Sequence, residues 1–349
     1  MEKDMTVGNP TKMILDFTVP LFIGNVFQQL YNMADTIIVG KFVGANALAA
    51  VGSTGTIMFL IIGFLQGMTA GFTVPTAQKF GAGDMKSVRK TVGSAAILSF
   101  IVSAIMTVIS MCGMKWLLHF MNTPDNIFDD AYRYIMVICA GIFAQVLYNL
   151  LASILRALGN SKTPLYFLIL AAVLNIVLDL WFVLGLQWGV RGAAIATVIS
   201  QYVSGIGITV YTYWKMPQFG VKAKYLHPEF SLVKEIAQFS FLTSLQQSVM
   251  NLGILMVQGL VNSFGTVIMA AFAAAVKIDS FAYMPVQDFG NAFSTFVAQN
   301  FGAKKEARIR EGIKNAVLMA MAFCIVISIG VFVFAKPLML IFVQPEETA

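Results

Sequence analysis

Charge is scarce in this chain. Only 11% of its 349 residues are Asp, Glu, Lys or Arg, against 58% hydrophobic, and the mean hydropathy is +0.78. That leaves too little polar surface to coat a water-soluble globule of this size. Cysteine is scarce as well: Cys112, Cys139 and Cys324 are odd in number, far apart and set in or beside apolar segments. Neither a disulfide framework nor a metal cluster is indicated, and buried, unreactive thiols are expected. The two histidines, His119 and His227, fall in connecting segments without ligand-like neighbours. No metal ligand set, nucleophile elbow or phosphate loop appears, so the chain does not read as an enzyme. The net charge of +6 is carried in short loops and not in one stripe with aromatics, which argues against nucleic acid as a partner. A cleavable leader is not read either, because the apolar stretch after Lys12 runs to about Gly40 without a small-residue cleavage site.

What the chain has in abundance is apolar runs of twenty residues or more, each long enough to cross roughly 30 Å of hydrocarbon as a helix. Spans are expected near 13–40, 47–74, 91–111, 134–155, 165–186, 190–213, 236–262, 267–298 and 313–335. The predicted fold is therefore all-α, a polytopic membrane protein with nine transmembrane helices. The loops after spans two, four, six and eight, with Lys3 and Lys12, hold 17 of the 23 Lys and Arg residues. By the positive-inside rule those loops and the N-terminus face the cytoplasm.

A repeat is visible. Ala77-Gln78-Lys79-Phe80-Gly81-Ala82 returns as Ala298-Gln299-Asn300-Phe301-Gly302-Ala303, an offset of 221 residues, and Arg89 falls on Arg310 in the same register. Six spans separate the copies, an even number, so the halves share one orientation and are related by an axis along the membrane normal. The expected organisation is an N-terminal six-helix lobe over 1–213, a cytoplasmic inter-lobe loop over 214–235, and a C-terminal lobe over 236–349 holding three of six helices.

Acids within apolar runs are the candidate functional groups, since each costs roughly 2.5 to 3.5 kcal/mol near the bilayer centre on insertion scales. In the first span Asn25, Gln28, Asn32 and Asp35 recur at helical spacing and form one polar face. Pro20 in the same span permits a kink. In the fifth span Asn175 and Asp179 are four apart and share a face. Two carboxylates converging in a low-dielectric pocket, with an amide and a hydroxyl nearby, can hold a proton or a small cation such as sodium. The alternative is a pair of buried, hydrogen-bonded acids that only fix helix packing. The seventh span carries an uncharged polar row that includes Ser244, Ser248 and Asn251, and the eighth carries Lys277, Asp279 and Asp288. Asp288 has no evident partner in sequence and is a candidate cavity acid. The 29 Phe and 20 Met residues would give a central cavity a soft apolar lining.

Taken as a set, Leu30 to Gly40, Ala77 to Asp84, and Leu155-Arg156-Ala157-Leu158-Gly159-Asn160-Ser161-Lys162-Thr163-Pro164 resemble the multidrug and toxic compound extrusion transporters. The resemblance covers all nine spans and implies a fold of two six-helix lobes, here cut short before the last three helices. It implies efflux of organic cations in exchange for protons or sodium, with no cofactor and the lipid bilayer as surroundings. It also implies a monomer, multi-pass in the cell membrane. Asp35 matches the central coupling carboxylate, Pro20 the hinge, and Asn175, Asp179, Thr197 and Asn149 its partners. Gln246 and Gln247 stand where some branches of the family place an acid on the seventh helix. The expected substrate cavity takes in Asn25, Gln28, Asn32, Gln247, Asn251, Lys277 and Asp288. The alternatives are a flippase of lipid-linked oligosaccharide or polysaccharide, for which the spans offer little Arg or Lys, or an inactive fragment of a transporter.

Overall fold

The computed structural model describes residues 4–217, 229–262, 264, 266–335 and 337. Their regular structure is helical: α1 (Pro10–Phe42), α2 (Ala45–Ala70), α3 (Thr73–Gly81), α4 (Met85–Phe120), α5 (Asp125–Ala140), α6 (Ile142–Ala157), α7 (Lys162–Asp179), a π-helical turn (Leu180–Gly185), α8 (Gly189–Lys215), α9 (Phe230–Asn262), α10 (Thr266–Gly302) and α11 (Glu306–Val333). Most of the expected inter-lobe loop lies outside the described residues, as does His227.

Six of these helices are long and apolar enough to cross a membrane, or seven when α5 and α6 count as one span. The nine expected from the sequence all correspond to helices, but α9 and α10, at 33 and 37 residues, fall outside that set. Polar side chains such as Ser240, Ser244 and Asn251 dilute α9, and much of the first half of α10 has side chains outside the described residues. Two expected spans are also broken. The second splits into α2 and α3 at Gly71–Phe72. The fourth bends by 45° between α5 and α6 at Gly141, where a Cβ would fall 2.4 Å from Val198 of α8.

Helix starts follow local chemistry. Asn9 caps α1, its Oδ1 accepting from the Lys12 N–H at 3.2 Å, with Pro10 at the first helical position. Asp84 caps α4, accepting from the Ser87 N–H at 3.0 Å and from its hydroxyl at 2.6 Å. Those bonds hold the Asp84 carboxyl below the usual carboxylate range. Because the folded value is depressed, the cap's contribution is complete above the usual range and is lost as pH falls through the folded value. The turn after α6 is closed by Asn160, which accepts from the Thr163 N–H at 3.0 Å and donates to its hydroxyl at 2.9 Å, with Gly159 at φ +78°.

The main apolar cluster lies among α2, α4, α5 and α6 around Leu65, Phe72, Ala95, Ile135, Ile142 and Leu155. Large apolar side chains such as Phe100, Val108, Val210, Met256 and Phe332 are exposed on the outside, as a lipid-facing surface requires. Buried thiols were expected, but only Cys139 is buried. Cys112 and Cys324 sit exposed on α4 and α11, on faces that sequence alone cannot tell from core. His119 lies in the last turn of α4, not in a connecting segment, because that helix runs on to Phe120.

The 221-residue offset carries the bounds of α2–α3 onto those of α10 and the start of α4 onto that of α11. It also governs how the copies pack, since α1 lies against α10 while α9 lies against α2. Gly67 and Gly71 of α2 let α9 approach until a Cβ on either would stand 2.7 and 2.4 Å from the Cα atoms of Ser244 and Ser240. Where α3 and α10 end, the contact is reciprocal. A Cβ on Gly81 would lie 1.9 Å from the Gln299 carbonyl oxygen, and one on Gly302 would lie 1.8 Å from that of Gln78. Replacing either Gly81 or Gly302 by Ala should therefore prise the two ends apart at a cost of about 1–3 kcal/mol. A lowered melting temperature in detergent checks this, and an unchanged one would contradict the tight crossing.

Candidate functional site

The polar residues of the buried helix faces converge on a cavity of about 630 Å³. α1, α2, α3, α6, α7 and α8 wall it on one side, and α9 and α10 on the other. From α1, Pro20, Asn25 and Gln28 belong to its wall, and with Tyr31 they carry the polar stripe along the helix. Asn149 on α6, Asn175 on α7, Thr197 on α8, Gln247 on α9 and Asp288 on α10 also line it. Asn175 Nδ2 reaches the Thr197 hydroxyl at 3.3 Å, and that hydroxyl donates to the Ala193 carbonyl at 3.1 Å. Asn25 Nδ2 donates to Asp288 Oδ1 at 2.6 Å, joining α1 to α10.

Asp35 and Asp179 come together just beyond the wall formed by Tyr31, Asn175 and Thr197, with their carboxyls within hydrogen-bonding range of each other. Asp179 is the last residue of α7, immediately before the π-helical turn, a distortion that often marks functional positions in helices. It is fully buried and neither of its oxygens has a donor; Asp35 Oδ1 and Asn175 Oδ1 are also buried without one. Four acceptor oxygens thus gather with no internal cation or donor among the described residues. A shared proton, a small cation or an ordered water can satisfy such a group. The phenols of Tyr31 and Tyr134 lie within electrostatic range of the pair. Neither was expected. Tyr31 stands four residues before Asp35 and so shares its helix face, a signal available in the sequence, whereas Tyr134 comes from α5 and carries none.

Two expected cavity residues lie elsewhere, and a third is not described. Asn32 is exposed and outside this wall, because the chamber stops at Tyr31 on that helix. Asn251 is 1% exposed but is spent on the α2–α9 contact, against Gly63 and accepting from Gln247 Nε2 at 3.2 Å. The side chain of Lys277 lies outside the described residues. In the other direction, Arg156 was assigned to a loop, yet it lines the cavity from the last turn of α6.

A polar chamber shared by two copies of a sequence repeat and sheathed in apolar helices defines a membrane transporter. Comparison with known proteins names the kind: the MatE family model matches residues 20–181 and 240–349, and the chain belongs to that family, whose members are transporters and not enzymes. It is 28% identical to the probable multidrug resistance protein YpnP of Bacillus subtilis, over 99% of this chain and 78% of that one. It is likewise 28% identical to the probable multidrug resistance protein NorM of Thermotoga maritima, over 96% and 73%. Among solved structures, a multidrug-resistance MATE transporter in an outward-facing conformation superposes with a TM-score of 0.89 at 26% identity, covering 98% of this chain and 76% of that one.

Asn25 is the only described donor to Asp288. Replacing Asn25 by Ala should destabilise the fold by about 1.5–3 kcal/mol, because a buried carboxylate loses its hydrogen bond. Adding Asp288→Asn should recover part of the loss. Thermal unfolding of the single and double variants measures both steps, and equal melting temperatures for wild type and Asn25→Ala would show that the bond contributes nothing.

Proposed function

We propose that this protein is a multi-pass exporter of the cell membrane that expels cationic, amphipathic small molecules in exchange for protons or sodium. The observation that carries this reading is the pairing of Asp35 with Asp179 beside a chamber large enough for a drug-sized molecule. The oxygens of Asp35, Asp179, Asn175 and Thr197 form a set suited to a proton or a hard cation. In this reading α9 and α10 cross the membrane with the other seven spans. The basic loops and the N-terminus face the cytoplasm, and the protein works as a monomer.

Two lobes, 1–213 and 236–349, rock about the reciprocal α3–α10 crossing, with Pro20 absorbing the bend of α1. Asn149 supports the ion site from α6. Arrival of the coupling ion at Asp35 and Asp179 cancels negative charge and favours the state that releases the substrate outside. Antiport follows if the ion at Asp35 and Asp179 and the organic cation in the adjoining chamber draw on one pool of buried negative charge.

Replacing Asp35 by Asn should leave the protein folded while ion-driven efflux falls on the order of ten- to a hundred-fold. Uptake of a cationic dye into everted vesicles under an imposed proton or sodium gradient measures it. Undiminished efflux in that variant would remove the coupling role. Trp181, two residues beyond Asp179, gives an independent readout: its fluorescence should respond to acid or sodium in the wild type and not in Asp179→Asn.

A further inference from the structure

Arg156 has no place in the mechanism above. It sits in the last turn of α6 with its side chain partly buried on the cavity wall, its Nε sealed from solvent and without a hydrogen-bond partner. Asp288 is 2% exposed on the same wall; Asn25 satisfies its Oδ1, but Oδ2 has no donor. The two charges feel each other electrostatically, yet no ion pair joins them among the described residues. Among the described residues they are the only charged ones on this wall, whose other described members are amides, hydroxyls, aliphatics and aromatics.

An arginine and an aspartate retained only for packing would be expected to close on each other, because a bidentate pair satisfies both at once. Held apart across one chamber, each keeps an unfilled hydrogen-bonding position. Guanidinium matches the planar, two-oxygen face of a carboxylate better than it matches any other common group. A carboxylate with a single free oxygen, by contrast, suits an ammonium. Apolar members of the same wall, among them Pro20, Leu21, Leu165 and Leu168, suit a hydrocarbon body.

We propose that the cavity is built for amphoteric molecules, with the amine of the substrate held at Asp288 and a carboxylate held at Arg156, so that Arg156 determines whether acid-bearing substrates are accepted. This rests on the reading of the cavity as the transport chamber and names its substrate class.

The test uses a zwitterionic xanthene dye with a free carboxylate and its methyl ester, which keeps the cation and lacks the acid. Binding of each to the purified protein is followed at equilibrium by fluorescence anisotropy, without any ion gradient. In Arg156→Gln the acid dye should bind about ten-fold more weakly or worse while the ester is unaffected; Asp288→Asn should weaken both. Equal loss for both dyes in Arg156→Gln, or no loss for either, overturns the proposal. Should Arg156→Gln fail to fold, Arg156→Lys keeps the charge and removes the fork. The acid-to-ester affinity ratio should then drop several-fold, and an unchanged ratio overturns the assignment. Since no gradient is imposed, failure of the coupling role of Asp35 would appear in driven efflux and leave this ratio untouched.

Discussion

Inside hydrocarbon, a polar group without a partner in the protein has no water to turn to, and this single constraint shapes the whole molecule. It restricts the backbone to helices, whose amides satisfy one another. It also sorts the side chains, since hydroxyls that cannot reach the chamber bond back to their own helix, as Thr18, Thr76, Thr91 and Thr212 do. Groups that can do neither are driven to the space between α1, α6, α7, α8, α9 and α10. The chamber is therefore the place where the polar residues of several helices solve one problem together. The groups still without a partner in or beside it include Asp179, Asn175 Oδ1, Asp288 Oδ2 and Arg156 Nε.

How much of this could be read from the order of residues depends on whether the signal is local. The polar stripe of α1 and the Asn175–Asp179 pair are short-range periodicities, and the structure brings Asp35 and Asp179 together as those faces require. Helical extents were legible for the same reason. Breaks were not: an added Cβ would meet Val198 at Gly141 and Ser240 at Gly71, and both neighbours stand more than fifty residues away in sequence. Asn251 looks like a cavity residue on a helical wheel. The glycine row on α2 draws it into a helix contact instead, and only the partner helix could reveal that. Arg156 was hidden by its position at a span's end, where arginines usually meet water.

The repeat explains why glycine recurs at the crossing. Two copies of one motif, meeting end to end about a pseudo-twofold axis, must place the same residue against the same neighbour twice, so a single requirement for close backbone approach appears at both Gly81 and Gly302. Tight self-contact of this kind holds α3 against α10 without a charge or a large side chain. A contact of small residues is one that two rigid halves can pivot on or part from without first desolvating an ion pair. Ion pairs occur farther out, where Lys79 meets Glu235 at 2.8 Å and Lys90 meets Glu229, both partly open to solvent and so weakly held.

Symmetry of fold does not extend to chemistry, and the difference locates the chamber. The 221-residue offset sets Gly67 on Asp288, so the place that Asp288 takes against α1 is taken by Gly67 against α9. On one side an amide meets a carboxylate at 2.6 Å, and the space beside them stays open. On the other, glycine lets Ser244 backbone close in, and Thr243 donates to the Gly67 carbonyl at 2.6 Å. Likewise the stretch of α9 that answers Asp35, Leu255-Met256-Val257, is wholly apolar. Replacing a carboxylate by glycine seals one seam, whereas replacing an apolar residue by aspartate gives the other a charge that must be answered. The paired acids Asp35 and Asp179 therefore belong to the first repeat alone, and a symmetric scaffold acquires one charged side.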